Sequence, residues 1–356
     1  NLEIIIYCCS EFLKMGYCSC CSVCNGIPIL QNRWTIKSCC LFIALLPILL
    51  SILPIFTITD GFDPANVQGK RVLICGASGG IGEEIVYKYA ELGAHIGLVA
   101  RRKTQLERVA KEALARGAAS VVVAPGDMSS ETSIVNVINT VLLEKEWHGE
   151  MDVLILNHAY QQWGWLLPNS KEIYASDVGT PFKLGGFEYV DNAVSVNFVS
   201  FIKLAIASIP ALSRGARTGG VGGSSTSHII AISSGAGKVA VPKQSVYSGT
   251  KHALHGFFDS FRLELEAKKL PVQVTVVVLG QVSTDKYNEG AGAEMNMPTM
   301  KPKDAANSIV RGGMSGIEEL YVPLTQFLHV VAILRPLYGI RWLLDRVTLI
   351  MIGADA

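Results

Sequence analysis

Between residues 67 and 323 the chain alternates short apolar runs with longer stretches whose apolar positions recur every three to four residues. The runs predict strands at 71–75, 94–99, 120–124, 152–157, 228–233, 272–279 and 319–322, and the periodic stretches predict helices at 80–92, 103–117, 130–146, 187–212, 247–268 and 302–315. Residues 274–279 carry little polar alternation, as expected of a strand covered on both faces. Strands and helices in alternation define an α/β fold. The expectation is a single-domain doubly wound parallel sheet of Rossmann type, with ligands beyond the carboxyl ends of the strands. No internal repeat is present.

The two ends of the chain read differently. Residues 39–58 are twenty positions without a charge, the length needed to cross a hydrocarbon core of about 30 Å. Pro47 and Pro54 leave two geometries open, a kinked spanning helix or a hairpin seated in one leaflet or a lipid droplet. Arg33 and Lys37 precede this segment while Asp60 and Asp63 follow it, which favours a cytosolic N-terminus and a luminal catalytic domain, although Lys70 and Arg71 oppose that bias. The expected location is the endoplasmic reticulum membrane, with a lipid droplet or cytosol-facing arrangement as the alternative. Residues 324–356 mix Phe327, Leu334 and Trp342 with Arg335, Arg341 and Arg346, an amphipathic segment that lies on a membrane surface or forms a dimer contact.

Eight of the nine cysteines precede residue 41, so a disulfide-stapled catalytic fold is excluded. Only Cys21 and Cys24 have C-x-x-C spacing and no matched second pair follows, so no metal site is assigned. Residues 1–38 read as an unstructured tail, with Cys39 and Cys40 placed for juxtamembrane acylation. A net charge of +1 leaves no nucleic-acid footprint.

The candidate chemistry lies inside the alternating region. The first strand runs into Gly76-Ala77-Ser78-Gly79-Gly80-Ile81-Gly82 and then a helix, the context of a dinucleotide fingerprint. Gly76 permits the tight turn, Gly80 lets main chain approach a pyrophosphate, and Gly82 lets the helix pack close. At the end of the second strand Arg101 and Arg102 stand where a ribose-binding carboxylate is otherwise expected. A guanidinium suits a 2′-phosphate, so NADP(H) is favoured over NAD(H). Further on, Ser234 ends a strand, and Tyr247 and Lys251 follow at a helical i,i+4 spacing. An ammonium beside the phenol is expected to lower its pKa and make Tyr247 a general acid/base.

Together these motifs resemble the short-chain dehydrogenase/reductase family, whose glycine motif is spaced as Gly76, Gly80 and Gly82 are. Asn157-His158-Ala159 sits where the family carries Asn-Asn-Ala-Gly, with His158 and Tyr160 departing from that pattern. Asn197 matches the fourth member of the family's Asn-Ser-Tyr-Lys tetrad, and Gly280-Gln281-Val282-Ser283-Thr284 matches its nicotinamide-contacting segment, with Leu279 replacing a proline. Within the family the likeness is to the 11-beta-hydroxysteroid dehydrogenase type 1 group.

The resemblance implies catalytic roles for Asn197, Ser234, Tyr247 and Lys251. It implies cofactor contacts from Gly76, Ser78, Gly79, Gly80, Ile81, Gly82, Asp127, Met128, Asn157, Tyr247, Lys251, Gly280, Val282 and Thr284. It also implies a membrane-bound homodimer interconverting a secondary alcohol and a ketone on a lipophilic molecule, with a hydroxysteroid favoured. Retinoid, fatty-acyl and xenobiotic carbonyls are alternatives, as is a catalytically silent scaffold. Asn157 and Asn197 lie forty residues apart, and the added material carries Trp163, Trp165, Tyr174 and Phe182. That insertion reads as a lipid-facing or substrate-facing flap or as a surface elaboration. Residues 286–300 occupy the position of a mobile lid.

Overall fold

The computed structural model describes residues 62–176, 185–217, 226–239, 241–289 and 298–323, all within one compact unit. The expected tail, the 39–59 anchor and the 324–356 segment lie outside the described residues.

Seven strands form one parallel sheet in the order β3-β2-β1-β4-β5-β6-β7. They are β1 (Arg71–Cys75), β2 (His95–Ala100), β3 (Ser120–Pro125), β4 (Val153–Leu156), β5 (Ser227–Ile232), β6 (Val272–Leu279) and β7 (Glu319–Val322). The order reverses at β1, and the neighbouring carboxyl ends of β1 and β4 open the crevice expected at such a switch point. All seven expected strands are present, each within one residue of its expected bounds.

The helices are α1 (Gly80–Glu91), α2 (Lys103–Ala115), α3 (Glu131–Leu142), α4 (Ser170–Ala175), α5 (Gly186–Val194), α6 (Ser200–Arg217), α7 (Ser245–Ala267), α8 (Asp285–Glu289) and α9 (Pro302–Met314). Two departures from expectation matter. The single helix expected over 187–212 is instead α5 and α6 joined by a π turn, Ser195–Val199, in which the Ser200 N–H reaches back to the Ser195 carbonyl. The short helices α4 and α8 fall in stretches expected to be irregular.

Each face of the sheet buries its own core. Val72, Ile74, Ile96 and Leu98 pack with Ile85 and Tyr89 of α1, Leu106 of α2 and Ile309 of α9. Leu73, Cys75, Leu154 and Leu156 point the other way, onto Ile138 of α3, Phe201 and Leu204 of α6 and Phe258 of α7. Successive strand residues therefore serve opposite faces, and both faces are covered. Among the described residues one helical stretch, Gly186–Ala216, is long and apolar enough to cross a membrane. Its Ala193, Phe201, Leu204 and Leu212 are fully buried, and α6 packs on β4 and β5.

The amino ends of the central strands hold a buried charge cluster. Asp152 accepts from the Arg71 main-chain N–H at 2.8 Å, from its Nε at 2.8 Å and from its Nη2 at 3.2 Å. Glu150 pairs with the same guanidinium. Lys70 is 1% exposed beside them, and burial followed by the Arg71 charge lowers its pKa against the pull of Asp152.

Candidate active site

The turn after β1 is shaped by where side chains cannot go. Gly76 adopts φ +87°, and a Cβ there would meet the His158 main-chain nitrogen at 2.7 Å. A Cβ on Gly82 would lie 2.0 Å from the Gly76 carbonyl oxygen, so α1 starts hard against the turn that precedes it. The Asn157 amide, at the end of β4, donates to that same carbonyl at 3.2 Å. These contacts leave Ser78, Gly79 and Gly80 as open main chain at the amino end of a twelve-residue helix, where N–H groups and helix dipole favour an anion.

Two side chains border this cradle. Arg102 Nη2 donates to Ser78 Oγ at 3.1 Å, which holds a guanidinium over the turn. From the other side Thr284 presents its methyl 3.4 Å from where a Gly80 Cβ would stand. Thr284 is held by its own loop: Gly280 N–H donates to Val322 O at 2.7 Å, Ser283 N–H to Met300 O at 2.9 Å, and Thr284 Oγ1 accepts from Tyr287 N at 3.3 Å. Asp127 takes the Ser129 main-chain and hydroxyl hydrogens at 2.9 and 2.8 Å. Those bonds, with the Arg101 charge beyond them, hold its carboxyl below the ordinary range. Met128 beside it is buried.

Beyond the carboxyl ends of β4 and β5 the catalytic candidates converge. Tyr247 and Lys251 lie one turn apart on α7, both buried. Lys251 Nζ donates to the Ile232 carbonyl at 2.8 Å, 5.0 Å from the Phe201 ring centroid and 5.6 Å from that of Tyr247. Ser234 follows β5 and accepts from Ala236 N at 3.2 Å, capping the short turn Gly235–Gly237. Burial pushes the Tyr247 phenol up to about 12, a hydrogen bond with Ser234 pulls the other way, and Tyr189 adds to the rise. This corrects the expectation that Lys251 would bring the phenol down towards neutrality. The ammonium is anchored on a main-chain oxygen, so desolvation decides the direction.

Asn197 sits on the π turn and is fully buried. Its Oδ1 accepts from Tyr160 N at 2.7 Å and its Nδ2 donates to Tyr160 O at 2.7 Å and to Thr250 Oγ1 at 3.3 Å. Thr250 in turn donates to Tyr247 O at 2.8 Å. One amide thus ties the start of the insertion to the helix bearing Tyr247.

Three further residues join the site: His158, which the sequence marks only as a departure from the family pattern, and His255 and Tyr189, to which it assigns no role. His158 Nε2 lies 2.6 Å from Ser200 Oγ, and burial, reinforced by the Lys251 charge, pushes its pKa down to about 3. His255 Nε2 lies 3.0 Å from Ser233 Oγ, directly behind Ser234. Tyr189, on α5, is 2% exposed and close enough to influence Tyr247. His255 follows Lys251 by four residues, a helical spacing that could have marked it; nothing in the spacing marks Tyr189.

Comparison with known proteins agrees with this geometry. The chain belongs to the short chain dehydrogenase family, whose model matches residues 70–291. A hydroxysteroid 11-beta-dehydrogenase 1-like protein of Gallus gallus is 34% identical over 278 residues, covering 77% of this chain and 85% of that protein. An alcohol dehydrogenase of Thermococcus sibiricus, solved with 5-hydroxy-NADP, superposes with a TM-score of 0.55 at 25% identity over 71% of this chain and 95% of its own. A short-chain dehydrogenase of Sphingobium yanoikuyae, solved with NADPH, shares the fold with a TM-score of 0.59 at 23% identity, over 77% of this chain and 94% of its own.

Proposed function

We propose that this chain is an NADP(H)-dependent oxidoreductase that interconverts a secondary alcohol and a ketone on a lipophilic substrate, a hydroxysteroid being favoured. The observation that carries the proposal is the buried Tyr247 phenol, with Ser234 close enough to act on its titration and Lys251 one helical turn away, beside the open glycine turn. The glycine cradle, with Ser78, Arg102 and Thr284 around it, fits a dinucleotide, and Arg101 and Arg102 suit a 2′-phosphate. A nicotinamide dinucleotide held there supplies the hydride. The hydroxysteroid preference rests on the naming of the curated relatives.

In carbonyl reduction Tyr247 gives its proton to the substrate oxygen, which Ser234 holds and polarises. A phenol titrating near 12 is protonated at neutral pH, the state that proton donation requires. Lys251, its ammonium 5.6 Å from the Tyr247 ring centroid, would hold the ribose hydroxyls of the bound cofactor. Asn197 fixes the insertion against α7 and supports proton relay to Lys251. Aromatic groups from the insertion, Tyr160 and Trp163 among them, suit an apolar substrate.

The test is a panel of lipophilic ketones and alcohols, steroid, retinoid, fatty-acyl and xenobiotic, incubated with the full chain and NADPH or NADP⁺. Cofactor oxidation with steroid ketones is the expected result. NADPH binding without turnover of any panel member would hand the advantage to a scaffold role. The proposed setting is the endoplasmic reticulum membrane with a luminal catalytic domain. A glycosylation acceptor engineered into residues 213–227 should then be modified in microsomes, since no natural Asn-x-Ser/Thr site confuses the readout.

A further inference from the structure

We infer that Tyr189 and Tyr160 form a polar subsite beside Tyr247, reading a second oxygen on the substrate close to the reacting carbonyl. The inference rests on the proposed alcohol–ketone activity and specifies its substrate as a hydroxyketone or diketone, not a simple ketone.

Tyr189 is 2% exposed, yet its hydroxyl has no hydrogen-bond partner of ordinary geometry. A buried phenol left unpaired is costly and rare enough to need a reason. The helix that carries it, α5, packs on α7, which carries Tyr247. Tyr160 stands alongside, its ring centroid 6.0 Å from that of Tyr189. The Tyr160 oxygen accepts from Gln162 Nε2 at 3.0 Å, which leaves its own proton to donate. Burial raises the Tyr189 pKa; the Gln162 main chain opposes this and Tyr160 adds to it. Tyr189 is therefore a neutral donor at physiological pH.

Their placement is built, not incidental. Tyr160 is clamped through both its main-chain polar groups by Asn197. Gly185, at φ +61°, comes so close that a Cβ there would lie 2.9 Å from Tyr189 Cβ. The extended stretch between Asn157 and Asn197 thus brings together one phenol from near each of its ends, with Tyr189 next to the catalytic phenol. A site built to hydrogen-bond a substrate oxygen discriminates strongly against an analogue lacking it.

The experiment uses the full chain in detergent micelles with NADPH and three probes: 1-indanone, 2-hydroxy-1-indanone and 3-hydroxy-1-indanone. The expected result is a kcat/KM for at least one hydroxyketone about tenfold or more above that for 1-indanone, some 1.4 kcal/mol. Tyr189→Phe, which keeps the ring and its packing, should shrink that ratio to within about threefold, chiefly through KM. Tyr160→Phe should shrink it partway, and gives a second route should Tyr189→Phe fold poorly. A ratio unchanged in both variants, or no hydroxyketone preference in the unmutated protein, overturns the subsite while leaving the oxidoreductase reading intact. Bound NADPH with no conversion of any indanone but turnover in the wider panel overturns the subsite alone, and no conversion of any ketone in either set overturns both.

Discussion

The two ends of the sheet both bury charge, and they hold it by opposite means. At the amino ends, Arg71 is neutralised by Asp152 and Glu150, side chain against side chain. At the carboxyl ends, the polar groups are pinned by main chain: Lys251 by Ile232 O, Asn197 by Tyr160, Asn157 by Gly76 O. A charge cancelled by another charge supports the fold and has nothing left to offer a ligand. A charge fixed by a carbonyl keeps its sign and much of its reach. The first arrangement serves as foundation and the second as equipment, so substitutions at the two ends should separate stability from activity.

Tyr247→Phe is expected to have the largest effect, a loss of turnover of about 10²–10⁴-fold, because only the transferable proton is removed. The melting temperature should barely move, and a large drop in it would blur the division between the two ends. Asp152→Ala should do the reverse. It strands the Arg71 guanidinium in a buried site, a change that costs about 3–5 kcal/mol when one partner of a buried pair is lost. Urea unfolding measures the cost, and the folded fraction should retain its kcat. A destabilisation under about 1 kcal/mol would show that the cluster is not a foundation.

Acid should attack both ends at once. Burial holds His158 at about 3 and His228 and His255 at about 4, below the ordinary value of 6.5. Each is neutral when folded and binds a proton once unfolded, so stability is present above pH 6.5 and lost as pH falls from there towards 3–4. The urea midpoint should fall across that window. His228→Gln should flatten the slope by about one proton, and an unchanged slope would remove His228 from the account. The smallest effect belongs to the cofactor rim. Replacing Arg101 and Arg102 by alanine should cost about tenfold in the preference for NADPH over NADH, some 1.4 kcal/mol by equilibrium titration.

The strand runs were legible because parallel strands covered on both faces read as unbroken apolar stretches bounded by turns, and the glycine turn because only glycine meets its steric demands. Tyr247 and Lys251 were legible through helical spacing alone. The foundation was not, since Arg71 and Asp152 are 81 positions apart and no local rule joins them. Helix α4 could have been found. Asn169 and Glu172 form a reciprocal capping box, a local signature lost among the insertion's aromatics. The π turn had no such signature. Its i→i+5 bond is a product of packing Asn197 between Tyr160 and Thr250, not of residue preference. The direction of the Tyr247 shift is not legible in spacing either, because spacing reports who is near and not how much water is lost.

The π turn also sets the chain's tolerance to changes in length. Each α-helical residue rotates the chain by about 100° and advances it about 1.5 Å. Ser195–Val199 holds one residue more than an α-helical turn would, so α5 and α6 are out of phase by that amount. Deleting one residue there would close the bulge into regular helix and swing α5 by roughly a quarter-turn about α6. Tyr189 would leave the neighbourhood of Tyr247, and Asn197 would lose either Tyr160 or Thr250. The insertion ahead of α5 has absorbed many added residues without disturbing the sheet, whereas deleting a single residue from the five-residue π turn would put the subsite out of register.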